Sequence, residues 1–276
     1  MEQGLKGLRI NRKVMNKFSK YIKIWWIMSR NSFSMVISQR LSFFVFLLGK
    51  VLRFAFFFAF LYFLLQGTET LAGYTSNEAI FFFLVFNLID VISQFLFREV
   101  YRFRPLIIKG DFDYVLVKPI NALFRVLMGG ADVIDLITIP PLIFVSYYIG
   151  HLLAPTLAQS IGFWILFFNG LLITTAFHIA VLAFGIITTE VDHTIMIYRD
   201  LTSLGRFPVD IYKQPLQGFI TYIIPVGIMV TLPAKALMGL VAPLGIIAAV
   251  ALGIIALIAS LKFWNYALTK YTSASS

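Results

Sequence analysis

The chain contains no cysteine among its 276 residues. Disulfides, thiol catalysis and cysteine-based zinc or iron–sulfur sites are therefore excluded. Charge is scarce as well. Only 13% of residues are charged, against about 25% in soluble domains, and 13 Asp and Glu face 23 Lys and Arg. Three histidines, His151, His178 and His193, stand far apart. Catalytic signatures are missing: there is no GxxxxGK[ST] loop, no HExxH and no GxSxG. "LGKVLR" has a Gly-Lys pair but neither the earlier glycine nor the Ser/Thr of a phosphate loop. The first 40 residues are basic but hold no short apolar core ending in a small-residue cleavage site, so no removable signal peptide is expected.

Apolar residues are abundant, at 59% of the chain with 29 phenylalanines. A soluble fold of this length has too little interior to hide them, so the bilayer must serve as part of the solvent. Six runs reach the roughly 20 residues a spanning helix needs, at about 41–66, 79–98, 131–150, 158–188, 216–234 and 241–264. The expected fold is all-α: a polytopic bundle of six transmembrane helices over 41–276, preceded by a basic interfacial segment over 1–40. The fourth run is long enough to tilt or project. Pro225 and Pro233 predict a broken or re-entrant fifth run, and Pro140 and Pro141 a kink in the third.

The net charge of +10 is placed as the positive-inside rule expects, not as nucleic-acid binding would require. Nine Lys and Arg precede the first run, six lie between the second and third, and Lys262 and Lys270 close the chain. Arg199, Arg206 and Lys213 lie between the fourth and fifth runs, and Lys235 alone marks the opposite side. Both termini are therefore expected in the cytoplasm, with Glu190–Lys213 as a second cytoplasmic connection. There Gly205 resembles a helix C-cap before Pro208. From Lys17 to Met28 the pattern is amphipathic. Phe18, Tyr21, Ile22, Trp25 and Met28 recur at helical spacing, which suits a helix lying in the inner interface. "TSNE" from Thr75 to Glu78 reads as a capping box opening the second span.

Polar groups inside the runs are costly in hydrocarbon and so single themselves out. They are Lys50 and Arg53 in the first run, Asn87, Asp90 and Gln94 in the second, and His178 in the fourth. Arg53 lies 13 residues from Gln66, and Asp90 lies 12 from Glu78. At about 1.5 Å per residue both sit roughly 18–20 Å from the same face, so they are expected to be neighbours. The pair serves either as a structural bridge or as lining of a path. His178 reads as a packed hydrogen-bonder or a proton relay. Gly245, Ala249, Gly253 and Ala256, followed by Ser260, form a small-residue stripe for helix packing, within the subunit or between subunits.

"GDFDYVLVKPINALFRVL", from Gly110 to Leu127, joins the second and third runs. Up to Pro119 it should be extended or turn-like. Beyond it, Ile120, Leu123, Phe124 and Leu127 share one helical face, predicting a short amphipathic surface helix that lies on the membrane or docks in a partner's groove.

On this segment, with "GYTSNEA" (Gly73 to Ala79), "LGRFPVDIY" (Leu204 to Tyr212), "IIPVGIMVTLPAKALMG" (Ile223 to Gly239) and "FWNYALTKYTSAS" (Phe263 to Ser275), the chain resembles the type-2 permeases of ATP-binding-cassette exporters. The resemblance runs through most of the chain. It implies a six-span permease subunit with a coupling helix between spans two and three, in a plasma membrane of bacterial type. The implied partners are separate nucleotide-binding ATPase subunits and a second permease, identical or different. No cofactor is implied in this chain; ATP and magnesium belong to the ATPase. The implied ATPase-coupling residues are Asp111, Phe112, Asp113, Lys118, Pro119, Asn121, Phe124 and Arg125. "GRFP" (Arg206 within it) is either a further ATPase contact or only a turn. No catalytic residue and no metal site is expected. Two rivals remain: a non-transporting regulator using the same ATPase, and a membrane enzyme acting on lipid-linked substrates through Asp111, Asp113, Asp132 and Asp135 with magnesium.

Overall fold

The computed structural model describes residues 2–66 and 70–272, with side chains from Lys17 onward except at positions 61, 64 and 65. Residues 67–69 of the first expected outer connection and the last residues of the C-terminal motif lie outside the described residues. Among the described residues the fold is all-α, with one isolated bridge pairing Leu71 and Tyr74. Among the described residues five helices are long and apolar enough to cross a membrane. A sixth candidate is a pair bent by 77°.

Helix α1 (Glu2–Ser38) leads into α2 (Arg40–Gln66). A short far-side connection follows, and α3 (Ser76–Phe97) starts at the expected capping box. The Glu78 carboxylate accepts from the Thr75 backbone N–H at 2.7 Å and from its hydroxyl at 2.8 Å. A second box opens the fourth span: Gln159 Oε1 accepts from the Thr156 N–H at 2.7 Å. Both satisfy backbone donors that a helix start leaves free. From Phe97 the chain tightens into a 3-10 turn (Arg98–Arg102) and continues as α4 (Phe103–Ile108). Two short helices follow, α5 (Phe112–Leu116) and α6 (Ala122–Leu127). Then α7 (Val133–Leu152), continuous through Pro140 and Pro141, returns to the far side, and α8 (Leu157–Thr188) comes back.

The core is built on α3, α7 and α8. Phe81, Phe82, Leu84, Ile89, Leu166 and Ile173 are almost completely buried there. Lipid offers no hydrophobic drive for helices to associate, so close approach and polar contacts must hold them. A Cβ on Gly150 would sit 3.1 Å from the Phe81 ring. One on Gly170 would strike the Met229 carbonyl oxygen and stand 3.0 Å from Ile89. Gly170→Val is therefore expected to lower folded yield in detergent severalfold, from about 1–3 kcal/mol of overpacking. Gly170→Ala should fall between it and the parent, and equal thermal unfolding of all three would contradict the packing.

The last helix, α10 (Pro243–Lys270), runs parallel to α8. Ile246 meets Gly162 near one end, and Phe263 stacks edge-on with Phe184 at 4.8 Å near the other. Between them Asn169 Nδ2 donates to the Ala249 carbonyl at 3.0 Å, and a Cβ on Gly253 would lie 2.9 Å from Asn169 Cγ. The members Ala249 and Gly253 of the small-residue stripe thus serve packing inside the subunit. Ala256 lines a small apolar recess with Pro225, and Gly245 has only Val241, just before its helix, nearby.

The structure departs from the sequence expectation between Glu190 and Leu240. α9 (Val191–Ser203) does not stay at the basic face. Its first turn pairs Asp192 with Arg104 at 3.1 Å, and Tyr198 packs on His178 at 4.8 Å between ring centroids. Gly205 then lies against Phe86, Val226 and Val230. Asp210 finally accepts from the Tyr74 hydroxyl at 3.0 Å and pairs with Lys235 at 2.8 Å, both at the far side. Residues 191–211 therefore run the height of α3, about 30 Å at helical rise. The fifth run is broken at Pro225, as expected, and folds as a re-entrant hairpin from the far side with legs Leu216–Ile223 and Gly227–Leu237. The second leg climbs antiparallel to α8, from Met229 beside Gly170 to Ala236 beside Gly162. Proline has no N–H to continue the helix, and π turns on both sides of the tip absorb the break. Gly205 is accordingly no C-cap. It lies in a 3-10 turn, and its missing side chain admits Val226 and Val230.

Candidate functional site

Three features mark the basic end and the crossing that leaves it. The first is the projection formed by residues 103–127. Gly110, at φ +74°, reverses the chain after α4, a conformation glycine adopts without strain. Phe112 and Val115, one helical turn apart, are buried. The Phe112 ring sits edge-on to Phe103 at 5.3 Å, Tyr271 at 5.1 Å and Trp264 at 6.3 Å, which ties α5 to the end of α10. This anchoring makes a helix of the stretch expected to be extended. Tyr271 also reaches Asp113; burial, and then that carboxylate, push the Tyr271 hydroxyl up to about 12.

The α6 helix forms as expected but starts later, after an Asn121 cap rather than at Pro119. Asn121 Oδ1 accepts from the Phe124 N–H at 2.9 Å. Its own N–H donates to the Tyr21 hydroxyl at 3.1 Å, and the Phe124 and Tyr21 rings meet edge-on at 4.8 Å. Arg125 pairs with Glu99 at 2.6 Å. Of the eight expected docking residues, Phe112 is buried, while Phe124 and Arg125 hold α6 against α1 and the 3-10 turn. Asp111, Lys118, Pro119 and Asn121 remain exposed. Exposed with them are two residues the sequence reading passed over, Tyr114 at 68% and Val117 at 79%. Their spacing from Phe112 and Val115, always off the buried pair by two, was the available signal.

The N-terminal helix is more than an anchor. Tyr21 and Trp25 face inward, Trp25 onto Phe95 at 6.1 Å, while Phe18, Ile22 and Trp26 are exposed. The Ser29 hydroxyl accepts from the Ala131 N–H at 3.3 Å.

The second feature is an ion-pair network climbing from α6 into the span region. Arg125 and Arg102 share Glu99, at 2.6 and 3.9 Å. Arg98 pairs with Asp132 at 3.1 Å, and Lys50 with Asp135. Arg53 reaches Asp90 at 3.5 Å, where Gln94 also donates at 2.8 Å. The depth argument for Arg53 and Asp90 holds, and it missed the companion pair on Lys50. Asn87 turns away to its own helix, donating to the Phe83 carbonyl at 2.8 Å. His178 accepts the packing role: it is buried, with Nδ1 2.8 Å from the Thr174 carbonyl and rings of Phe97, Tyr101 and Tyr198 around it. Arg53→Ala and Asp90→Ala should each lower thermal stability. The double variant should lose less than their sum by about 0.5–1 kcal/mol, since the pair is long and half exposed. Strict additivity would contradict the pairing.

The third feature is the exposed face of 191–206. Val191, Ile195, Tyr198 and Thr202 are buried. Asp192, Met196, Arg199 and Arg206 are exposed at helical spacing on the other side, with Ser203 half-exposed among them. The segment thus presents a polar stripe away from its own subunit at the depth of the apolar core, which is costly against lipid and suits a protein neighbour or water.

Apolar spans, a re-entrant hairpin, a projection at one end and a polar stripe along one crossing define a polytopic helical membrane protein. The ABC-2 family transporter protein family matches residues 51–275, and the chain belongs to that family. No curated protein and no solved structure shows a significant match to the chain. The match covers α3 to α10 and most of α2, so the projection, the polar stripe and all of the network except Lys50 lie inside the family domain.

Proposed function

We propose that the chain is the permease subunit of an ATP-driven exporter, coupled to a separate nucleotide-binding ATPase through the projection over Gly110 to Asn121. The observation that carries this reading is the exposed pair Tyr114 and Val117 on a base whose other side is pinned by Phe112, Phe124 and Arg125. An apolar tip on a rigid base fits a groove in a partner, and its anchored side passes motion to α1, α3 and α10. ATP and magnesium act in that ATPase. The basic end faces the cytoplasm of a bacterial-type cell, as the Lys and Arg excess there supports. A second permease, the same chain or a different one, covers the stripe from Asp192 to Arg206 and completes the path. The exporter direction rests on the resemblance of the sequence motifs.

The ion pairs weigh against a lipid-modifying enzyme. Asp132 and Asp135, its nearest acidic candidates, are neutralised by Arg98 and Lys50. Affinity purification of the tagged chain from its native membrane tests the proposal. A nucleotide-binding ATPase and a permease should co-purify, and nucleotide hydrolysis should appear in that complex. Recovery of the folded chain without any ATPase would refute the reading.

A further inference from the structure

A cavity of about 630 Å³ opens between the α1–α2 elbow and the basic-side ends of α3 and α7. We propose that it binds the phosphate headgroup of an anionic amphiphile. The inference is independent of transport, because it concerns what the resting chain holds.

The argument begins with which charges face the space. Arg53, Arg98 and Arg102 line the cavity with side chains 44%, 37% and 40% exposed. Asp132 and Asp135 share that lining but are only 10% and 2% exposed, and the further carboxylate partners Glu99 and Asp90 are 12% and 24% exposed. The acids orient the guanidinium groups, and the three arginines are the more exposed charges of the wall. A guanidinium has five N–H donors, and one carboxylate takes at most two, so each arginine keeps donors for a further anion. Its planar fork matches phosphate oxygens, and fixing it beforehand lowers the entropy cost of binding.

The rest of the lining selects an amphiphile. Phe43, Val45 and Phe46 of α2 border the same cavity. Val45 and Phe46 are 58% and 67% exposed, and no residue in the spanning stretch of α2 is fully buried within the chain. The cavity is therefore open sideways to acyl chains, while Gln39 and Arg102 lie at its basic-face end. A molecule with phosphate at one end and hydrocarbon at the other satisfies both walls. The chemistry leaves two sources for the phosphate, a lipid headgroup or a free phosphate ion, and the experiment separates them.

Native mass spectrometry of the full chain in detergent, with phosphatidylglycerol or phosphatidylcholine added, reads the site. Phosphatidylglycerol should be retained at least ten-fold more tightly. The pair of substitutions Arg53→Gln and Arg102→Gln should remove that preference. Both leave the acids partnered, Asp90 by Gln94 and Glu99 by Arg125. Neutralising Lys17, Lys20 and Lys23 to Gln, outside the cavity, should leave it unchanged. If millimolar inorganic phosphate displaces the lipid from the parent chain, free phosphate is a ligand of the same site; if it does not, the lipid headgroup is the ligand. Equal retention of the two lipids by the parent chain overturns the proposal, whatever the variant's folding. So does an undiminished preference in the folded double variant, or loss of preference in the lysine control alone.

Discussion

Replacing Val117 with Asp and Tyr114 with Ala together should cut ATPase association at least ten-fold while leaving membrane insertion and folded yield unchanged. Both side chains point away from the subunit, so neither substitution opens a cavity in the chain. The helix that carries them is held by Phe112 and Val115, which stay in place. A central apolar or aromatic anchor at an interface contributes about 2 kcal/mol or more, equivalent to roughly thirty-fold in affinity, and a carboxylate driven into its pocket adds a desolvation cost. Phe124→Ala with Arg125→Ala should behave differently. Those residues hold α6 on Tyr21 and Glu99, so their loss should lower thermal stability first, and coupling only in consequence. Size-exclusion yield and ATPase co-purification, measured side by side, separate the two outcomes. Normal ATPase retention in the Val117 and Tyr114 variant would remove the projection as the docking site.

Arg206 carries the second large effect. Its neighbour Gly205 packs on Phe86, Val226 and Val230, deep between the two faces, and Arg206 itself is exposed there. A charge at that depth costs about 3 kcal/mol or more against hydrocarbon, so its position implies water or a second subunit beside it. The chain has no native cysteine, so a single introduced thiol reports without background. Arg206→Cys in native membranes should react with a water-soluble maleimide at least ten-fold faster than Ile223→Cys, an exposed apolar position on the hairpin. Equal, slow labelling of both would place the stripe against lipid and remove it from the path.

The sequence carried the apolar spans, the capping box at Thr75 and the Arg53–Asp90 pair, because each depends on local spacing or on helical rise. The fifth crossing was not legible for an equally physical reason. A segment with one exposed polar face and the other on the core has low mean hydropathy. Residues 191–211 therefore read as a charged loop, and the apolar run after them, although its prolines mark it as broken or re-entrant, takes the place of the fifth crossing. The buried set at 191, 195, 198 and 202 has helical spacing, but spacing does not report depth. Reassigning Arg199, Arg206 and Lys213 leaves the basic excess at the N-terminus and between α3 and α7, so the expected orientation does not depend on them. In the projection, periodicity found the α6 helix but not which partner its apolar face would meet. Phe124 turned to Tyr21 of α1, a hundred residues earlier in the chain, and no local pattern encodes that choice.

The claim that the projection couples this permease to an ATPase is tested most directly by cross-linking at Val117→Cys. In the purified complex, a short homobifunctional maleimide should join Val117→Cys to a cysteine placed on the nucleotide-binding subunit, giving one product with the summed mass of both chains. Ile143→Cys, exposed along α7, should give none. An ATPase that co-purifies yet forms no product at Val117, with cysteines placed across its membrane-facing surface, would contradict the account.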